Sequence, residues 1–161
     1  MASSVNLLLL SPGETWLNHL TPDSLVQLDG FHLVRADRNI RESGKKKGGG
    51  IALFVNDKWC NPGHIHVKEQ RCTRDIELLA VSIRPYYLPR EFSHVIAITT
   101  YIPPSANADA ACELLHSVVA QLQTEHPQAF LLITGDFNHA SCLPSLPAAE
   151  IPVSPGGRWK H

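Results

Sequence analysis

Residues 130–139 read FLLITGDFNH, an apolar run that closes on Gly-Asp and is followed two positions later by an asparagine. The run Phe130 to Thr134 suits a buried strand, and Gly135-Asp136 ends it. Asp136 and Asn138 project to the same side if the extended conformation persists, because strand side chains alternate. An ionised carboxylate takes a proton from water or holds a metal, and a carboxamide beside it donates to a phosphate oxygen. That pairing suits phosphodiester hydrolysis, in which positioning and charge stabilisation supply most of the catalysis. The purely local alternative is a plain turn, since Gly, Asp and Asn all favour turns.

Upstream of this strand, Leu114, Leu115, Val118, Val119 and Leu122 recur at helical spacing and predict a helix over Ala108–Gln123. Asn107 or Asp109 suits its cap, and Pro127 follows its end. His94–Tyr101 (HVIAITTY) reads as a strand ended by Pro103-Pro104. Ile76–Ile83 (IELLAVSI) reads as another, in which Glu77 must face solvent or find a partner. Gly50–Val55, Phe31–Val34 and Val5–Leu10 are further strands, Ile65–Val67 is a short candidate, and Pro22–Leu28 is a weaker helix that Thr21 would cap. The pattern is an α/β (α+β) chain of roughly six strands. Residues 1–142 form one domain. The stretch 143–161, with Pro144, Pro147, Pro152, Pro155 and Gly156-Gly157, reads as an irregular tail.

The chain has 161 residues, 43% of them apolar and 18% charged, which excludes a disordered polymer. Its net charge of −1 does not mark it as a phosphate-tracking protein overall, and leaves room for a local basic patch. No positively charged segment precedes the short run Val5–Leu10, and no stretch is long enough to span a bilayer. The expectation is an intracellular protein, cytoplasmic or nuclear, without a signal peptide and without membrane contact. Its four cysteines, Cys60, Cys72, Cys112 and Cys142, form no C-x-x-C pair, and free thiols rather than disulfides are expected in that compartment. Cys60, His64, His66 and Cys72 lie close in sequence, but their spacing fits no standard zinc finger.

Two more strand ends carry chemistry. Glu14-Thr15-Trp16-Leu17 places a carboxylate just after the first strand, where a magnesium ligand is commonly found; the plain alternative is a solvated loop residue. Thr100-Tyr101-Ile102-Pro103-Pro104 places a phenol at a strand end, stiffened by two prolines. Its plain alternative is an interior tyrosine that caps a core.

Taken with Phe31–Arg38 (FHLVRADR), Lys47-Gly48-Gly49-Gly50 and Tyr86–Phe92 (YYLPREF), these motifs and their order resemble the endonuclease/exonuclease/phosphatase (DNase I-like) superfamily. More narrowly, they resemble the endonuclease domain of LINE-type non-LTR retrotransposons, over about Val5 to Cys142. The resemblance implies a two-layer β-sandwich flanked by helices and a Mg2+-dependent cleavage of DNA, with no small-molecule cofactor. It implies that Glu14 binds the metal, that Tyr101 contacts the scissile phosphate, that Asp136 orients or deprotonates the attacking water, and that Asn138 positions phosphate and nucleophile. The sequence departs from that pattern in three places. No asparagine matches the one an early strand carries, Ser11-Pro12-Gly13 interrupts the approach to Glu14, and the closing Ser-Asp-His is absent. The expectation is a truncated copy whose second sheet lacks its C-terminal part, weakly active or inactive, and prone to self-associate through exposed sheet. Apolar surface left bare costs roughly 25 cal/mol per Å2, so a few hundred Å2 weighs heavily against a total stability of about 5–15 kcal/mol.

Two other functions fit the same residues. One is a non-catalytic remnant that binds nucleic acid or protein. The other is a phosphoesterase acting on a small phosphoester. Lys45-Lys46-Lys47, with Arg35, Arg38 and Arg41 nearby, is either a solvated loop or a contact to DNA phosphates.

Overall fold

A computed structural model of the chain describes residues 9–10, 15, 21–38, 41, 44, 49–138 and 140–142. Its first sheet joins β1 (Leu9–Leu10), β2 (Phe31–Ala36) and β3 (Ile51–Asn56) in the order β1-β3-β2, with both pairings antiparallel. The second joins β4 (Ile65–Cys72), β5 (Glu77–Ile83), β6 (His94–Tyr101) and β7 (Ala129–Asp136) in sequence order. β4, β5 and β6 run antiparallel, and β7 lies parallel to β6. A parallel neighbour needs a crossover, which the helix α1 (Ala108–Glu125) supplies.

Burial explains the sequence patterns. Every residue of β5 and β6 is buried, because the first sheet covers one face of these strands and α1 the other. Their sequences therefore run almost continuously apolar instead of alternating. β4 is an edge strand of the described sheet; His66, Lys68, Gln70 and Arg71 are exposed, and a bulge between Val67 and Glu69 breaks its register. On α1, Ala111, Leu115, Val118, Val119 and Leu122 make one buried stripe against Leu78, Ala80, Ile96, Ile98, Leu131 and Ile133. Leu114, expected on that face, is only partly buried, and Ala111 takes its place. The Asn107 side chain caps the helix by accepting from the Ala110 amide at 3.1 Å. Between the sheets, Ile51, Leu53 and Val55 pack on Leu79, Val81, Val95 and Ala97.

Several expectations are corrected. Ile65–Val67 extends to Cys72 because β5 offers a full-length partner. The helix expected over Pro22–Leu28 is a single 3-10 turn, Asp23–Leu25, with no side-chain cap. Cys112 and Cys142 form a disulfide, although free thiols were expected. The Cys142 sulfur meets α1 within its own apolar core, a proximity that cysteine spacing does not reveal. Most of the first expected strand and all of the tail at 143–161 lie outside the described residues, in which no helix is long and apolar enough to cross a membrane.

On β7, the last described strand of the second sheet, Phe130 and Leu132 are only partly buried. With Trp59, Leu88, Phe92 and Val95 they line an apolar cleft of about 430 Å3.

Candidate active site at the ends of two parallel strands

Because β6 and β7 are parallel, their C-terminal ends lie together. Register pairs Tyr101 directly with Asp136, and pairs Glu77, at the start of β5, with Tyr101. Glu77, Tyr101 and Asp136 thus form a row across three strands, in phase with Leu79, Ala97 and Leu132, which pack between the sheets. The contact between β6 and β7 is unusually close here. Gly135 has φ +147°, and a Cβ at this position would lie 1.9 Å from the Thr100 carbonyl oxygen. Glycine is therefore required one residue before the candidate carboxylate.

The chain does not stay extended beyond Asp136, so strand alternation is not what brings Asp136 and Asn138 together. The Asn138 backbone amide donates to Asp136 Oδ1 at 3.0 Å, which closes an Asx turn. Asn138 adopts the left-handed region at φ +47°, which asparagine tolerates better than most residues. Its side-chain Nδ2 then donates to the Ile102 carbonyl at 2.6 Å, while the Ile102 amide donates to the Asp136 carbonyl at 2.9 Å. The turn folds Asn138 back onto the strand that carries Tyr101.

Sequence reasoning missed the ion pair that borders this row. Glu77 is almost fully buried and accepts from Arg38 Nη2 at 2.8 Å and Nε at 3.2 Å, while its other oxygen takes the Gly50 amide at 3.0 Å. The Arg38 guanidinium also lies 5.9 Å from the centre of the Tyr101 ring. The only signal in the sequence was the acidic residue in the apolar run IELLAVSI. Arg35 is likewise held internally, by Asp37 at 2.6 Å and Asp23 at 3.0 Å. Its hydrogen bond with Asp37, above all, raises the guanidinium pKa. Arg35 and Arg38, grouped above as local positive charge, are thus each ion-paired within the protein. Lys45, Lys46 and Lys47 lie outside the described residues.

Directly below the row, Thr99 faces Thr134 across the same strand pair, and Thr100 faces Gly135. The hydroxyls of Thr99, Thr100 and Thr134 are buried with no hydrogen-bond partner among the described residues. Unpaired buried hydroxyls in a native fold call for a water or ion.

Glu14 lies outside the described residues, whereas Thr15 donates its amide to the Gly50 carbonyl at 2.9 Å. Magnesium keeps several of its waters and takes one or two protein carboxylates. Asp136 offers one at the strand end, with the Asn138 carboxamide beside it, and Glu77 is committed to Arg38. This donor set fits a hydrated cation but not a fully caged one. Among the described residues, no group of three or more His, Cys, Asp or Glu is placed to hold a metal ion. The buried Cys60 thiol donates to the Arg84 and Asn61 carbonyls at 3.2 and 3.3 Å, and burial pushes its pKa up.

No protein-family model matches the chain, and no curated protein sequence matches it.

Proposed function

We propose that this chain carries a partial, DNase I-like endonuclease domain of the LINE retrotransposon type, whose chemistry is Mg2+-dependent hydrolysis of a DNA phosphodiester. The supporting observation is the direct pairing of Tyr101 with Asp136 at the ends of parallel strands, with Asn138 folded back onto Ile102. In this reading the Asp136 carboxylate orients or deprotonates the attacking water. The Tyr101 hydroxyl donates to a phosphate oxygen, and Asn138 holds the phosphate against the strand ends. Glu14 would hold the cation, which supplies polarisation of the phosphoryl oxygen and stabilisation of the leaving oxygen. The chain has no Ser-Asp-His to stabilise charge on phosphorus, so activity is expected to be low.

The test is a supercoiled-plasmid nicking assay with magnesium, paired with a DNA-binding assay at low salt. Weak nicking that Asp136→Ala abolishes supports the assigned roles. A protein that neither nicks DNA nor retains it overturns the reading. The apolar cleft beside the edge of β7 that pairs with no other described strand favours one further role, a non-catalytic remnant that meets protein through this face. Sedimentation showing a monomer at all concentrations would count against it.

A further inference from the structure

At the opposite end of β6 from Tyr101, seven residues and roughly 23 Å away, lies a pocket of about 300 Å3 on the helix side of the second sheet. His64, His66, Lys68, Arg84, His94 and His126 line it, with Ser82 at its floor. These residues come from five places: the turn before β4, β4 itself, the end of β5, the start of β6, and the C-cap of α1. No carboxylate is among them. Outside the lining, the Glu125 carboxylate is 4.0 Å from His126 Nε2, and its side chain is half exposed.

We propose that this pocket binds a small phosphate-bearing dianion. Lys68 and Arg84 supply fixed positive charge in the lining, and its imidazoles supply N–H donors. A cation is disfavoured by the same charges. No His, Cys, Asp or Glu group among the described residues is placed to ligate a metal ion. The volume stands at the small end of ligand sites, and no Phe, Tyr or Trp lines it, so it suits a phosphoryl group and not a stacked strand of bases.

His94 is the reporter in the pocket lining. It is buried, its Nδ1 lies 2.7 Å from Ser93 Oγ, and its ring meets that of His126 edge to face at 5.2 Å. Burial lowers its pKa, and the charges of His126, Arg84 and Lys68 lower it further. An anion seated among these groups offsets their repulsion, so binding must raise the pKa of His94, and affinity must fall as pH rises through the imidazole range.

The experiment follows the imidazole proton resonances of the full chain by NMR during titration with inorganic phosphate, against chloride at matched ionic strength. The expected result with phosphate is a saturable shift of the His94 and His126 resonances that chloride does not give. The pH profile is taken with inorganic sulfate, a dianion throughout, whose binding should be stronger near about pH 6 than near about pH 8. Lys68 and Arg84 are exposed, so Lys68→Ala with Arg84→Ala should keep the fold and weaken binding by roughly tenfold or more. Lys68→Gln with Arg84→Gln serves if the alanine pair fails to fold. Shifts that are linear, equal in chloride, or unchanged in the double variant overturn the proposal. A 5′-phosphorylated dinucleotide compared with its 5′-hydroxyl form identifies the source. Tighter binding than inorganic phosphate places the dianion on a polynucleotide end, and equal binding makes it a free ion or small ester. The outcome is independent of Asp136, which lies at the far end of the sheet.

Discussion

Replacing Arg38 by methionine removes one partner of an ion pair whose side chains are only 7% and 3% exposed. Two unit charges about 4 Å apart attract by roughly 4 kcal/mol at an effective dielectric near 20. Several kcal/mol per ion is lost in taking them out of water. The intact pair is therefore close to neutral overall, whereas either half alone is an unpaired buried charge. Arg38→Met should cost about 3–5 kcal/mol, and Glu77→Leu a similar amount. The double variant leaves neither charge, and its main defect is the Gly50 amide that now lacks an acceptor, worth about 1–3 kcal/mol. The double should thus fall short of the sum of the singles by about 3 kcal/mol or more. Urea unfolding of the wild type and three variants measures this, and each single should lower Tm by about 6–20 °C at this chain length. Additive effects, or singles within about 1 kcal/mol of the wild type, would show that the pair is hydrated and that Arg38 does not bridge the two sheets.

Gly135→Ala drives a Cβ into the Thr100 carbonyl, and it should destabilise the protein by roughly 2–5 kcal/mol, read as a lower urea midpoint. A midpoint equal to that of the wild type would mean that β6 and β7 are not in this close register. Reducing the Cys112–Cys142 bond, which spans 30 residues, should remove roughly 3–4 kcal/mol. Melts that coincide with and without reductant would count against the bond. His94, whose pKa burial lowers in the folded state, binds fewer protons folded than unfolded. Its contribution to stability is complete above the ordinary imidazole value and is lost as pH falls from there through the lowered one. Unfolding free energy measured against pH should show that slope, and His94→Gln should flatten it.

The elements legible in the sequence were those whose burial pattern is simple. β5 and β6 are covered on both faces, so an unbroken apolar run marks them; α1 is covered on one, so a 3.6-residue period marks it. β4 was legible only in part, because an edge strand with a bulge has no strict alternation and takes its length from β5. The turn at Asp23–Leu25 looked like a helix because Thr-Pro imitates a helix start, but no apolar stripe follows to be buried. Pairings between distant residues left little trace. Nothing local announces that Cys112 will meet Cys142, or that Arg38, in a polar stretch, will reach the acidic residue of β5.

The same distinction bears on Asp136 and Asn138, which two competing readings divided between a catalytic pair and a turn. The geometry makes them one object. The turn closes because Asp136 accepts from the Asn138 amide, and it directs the Asn138 carboxamide onto Ile102, the residue after Tyr101. A turn built by its own side chains holds those side chains in place without other support, which is what a positioning-dominated reaction demands. It also commits one carboxylate oxygen of Asp136 to the backbone. The other oxygen carries no hydrogen bond of this turn, and Thr99 and Thr134, two residues before Tyr101 and Asp136, stand in phase with the row. Asp136→Asn keeps an acceptor for the turn while removing the charge, and Asp136→Ala removes both. If the two variants lose DNA-directed function equally while only the alanine variant loses stability, the carboxylate acts in chemistry; if function tracks stability in both, it acts as a turn.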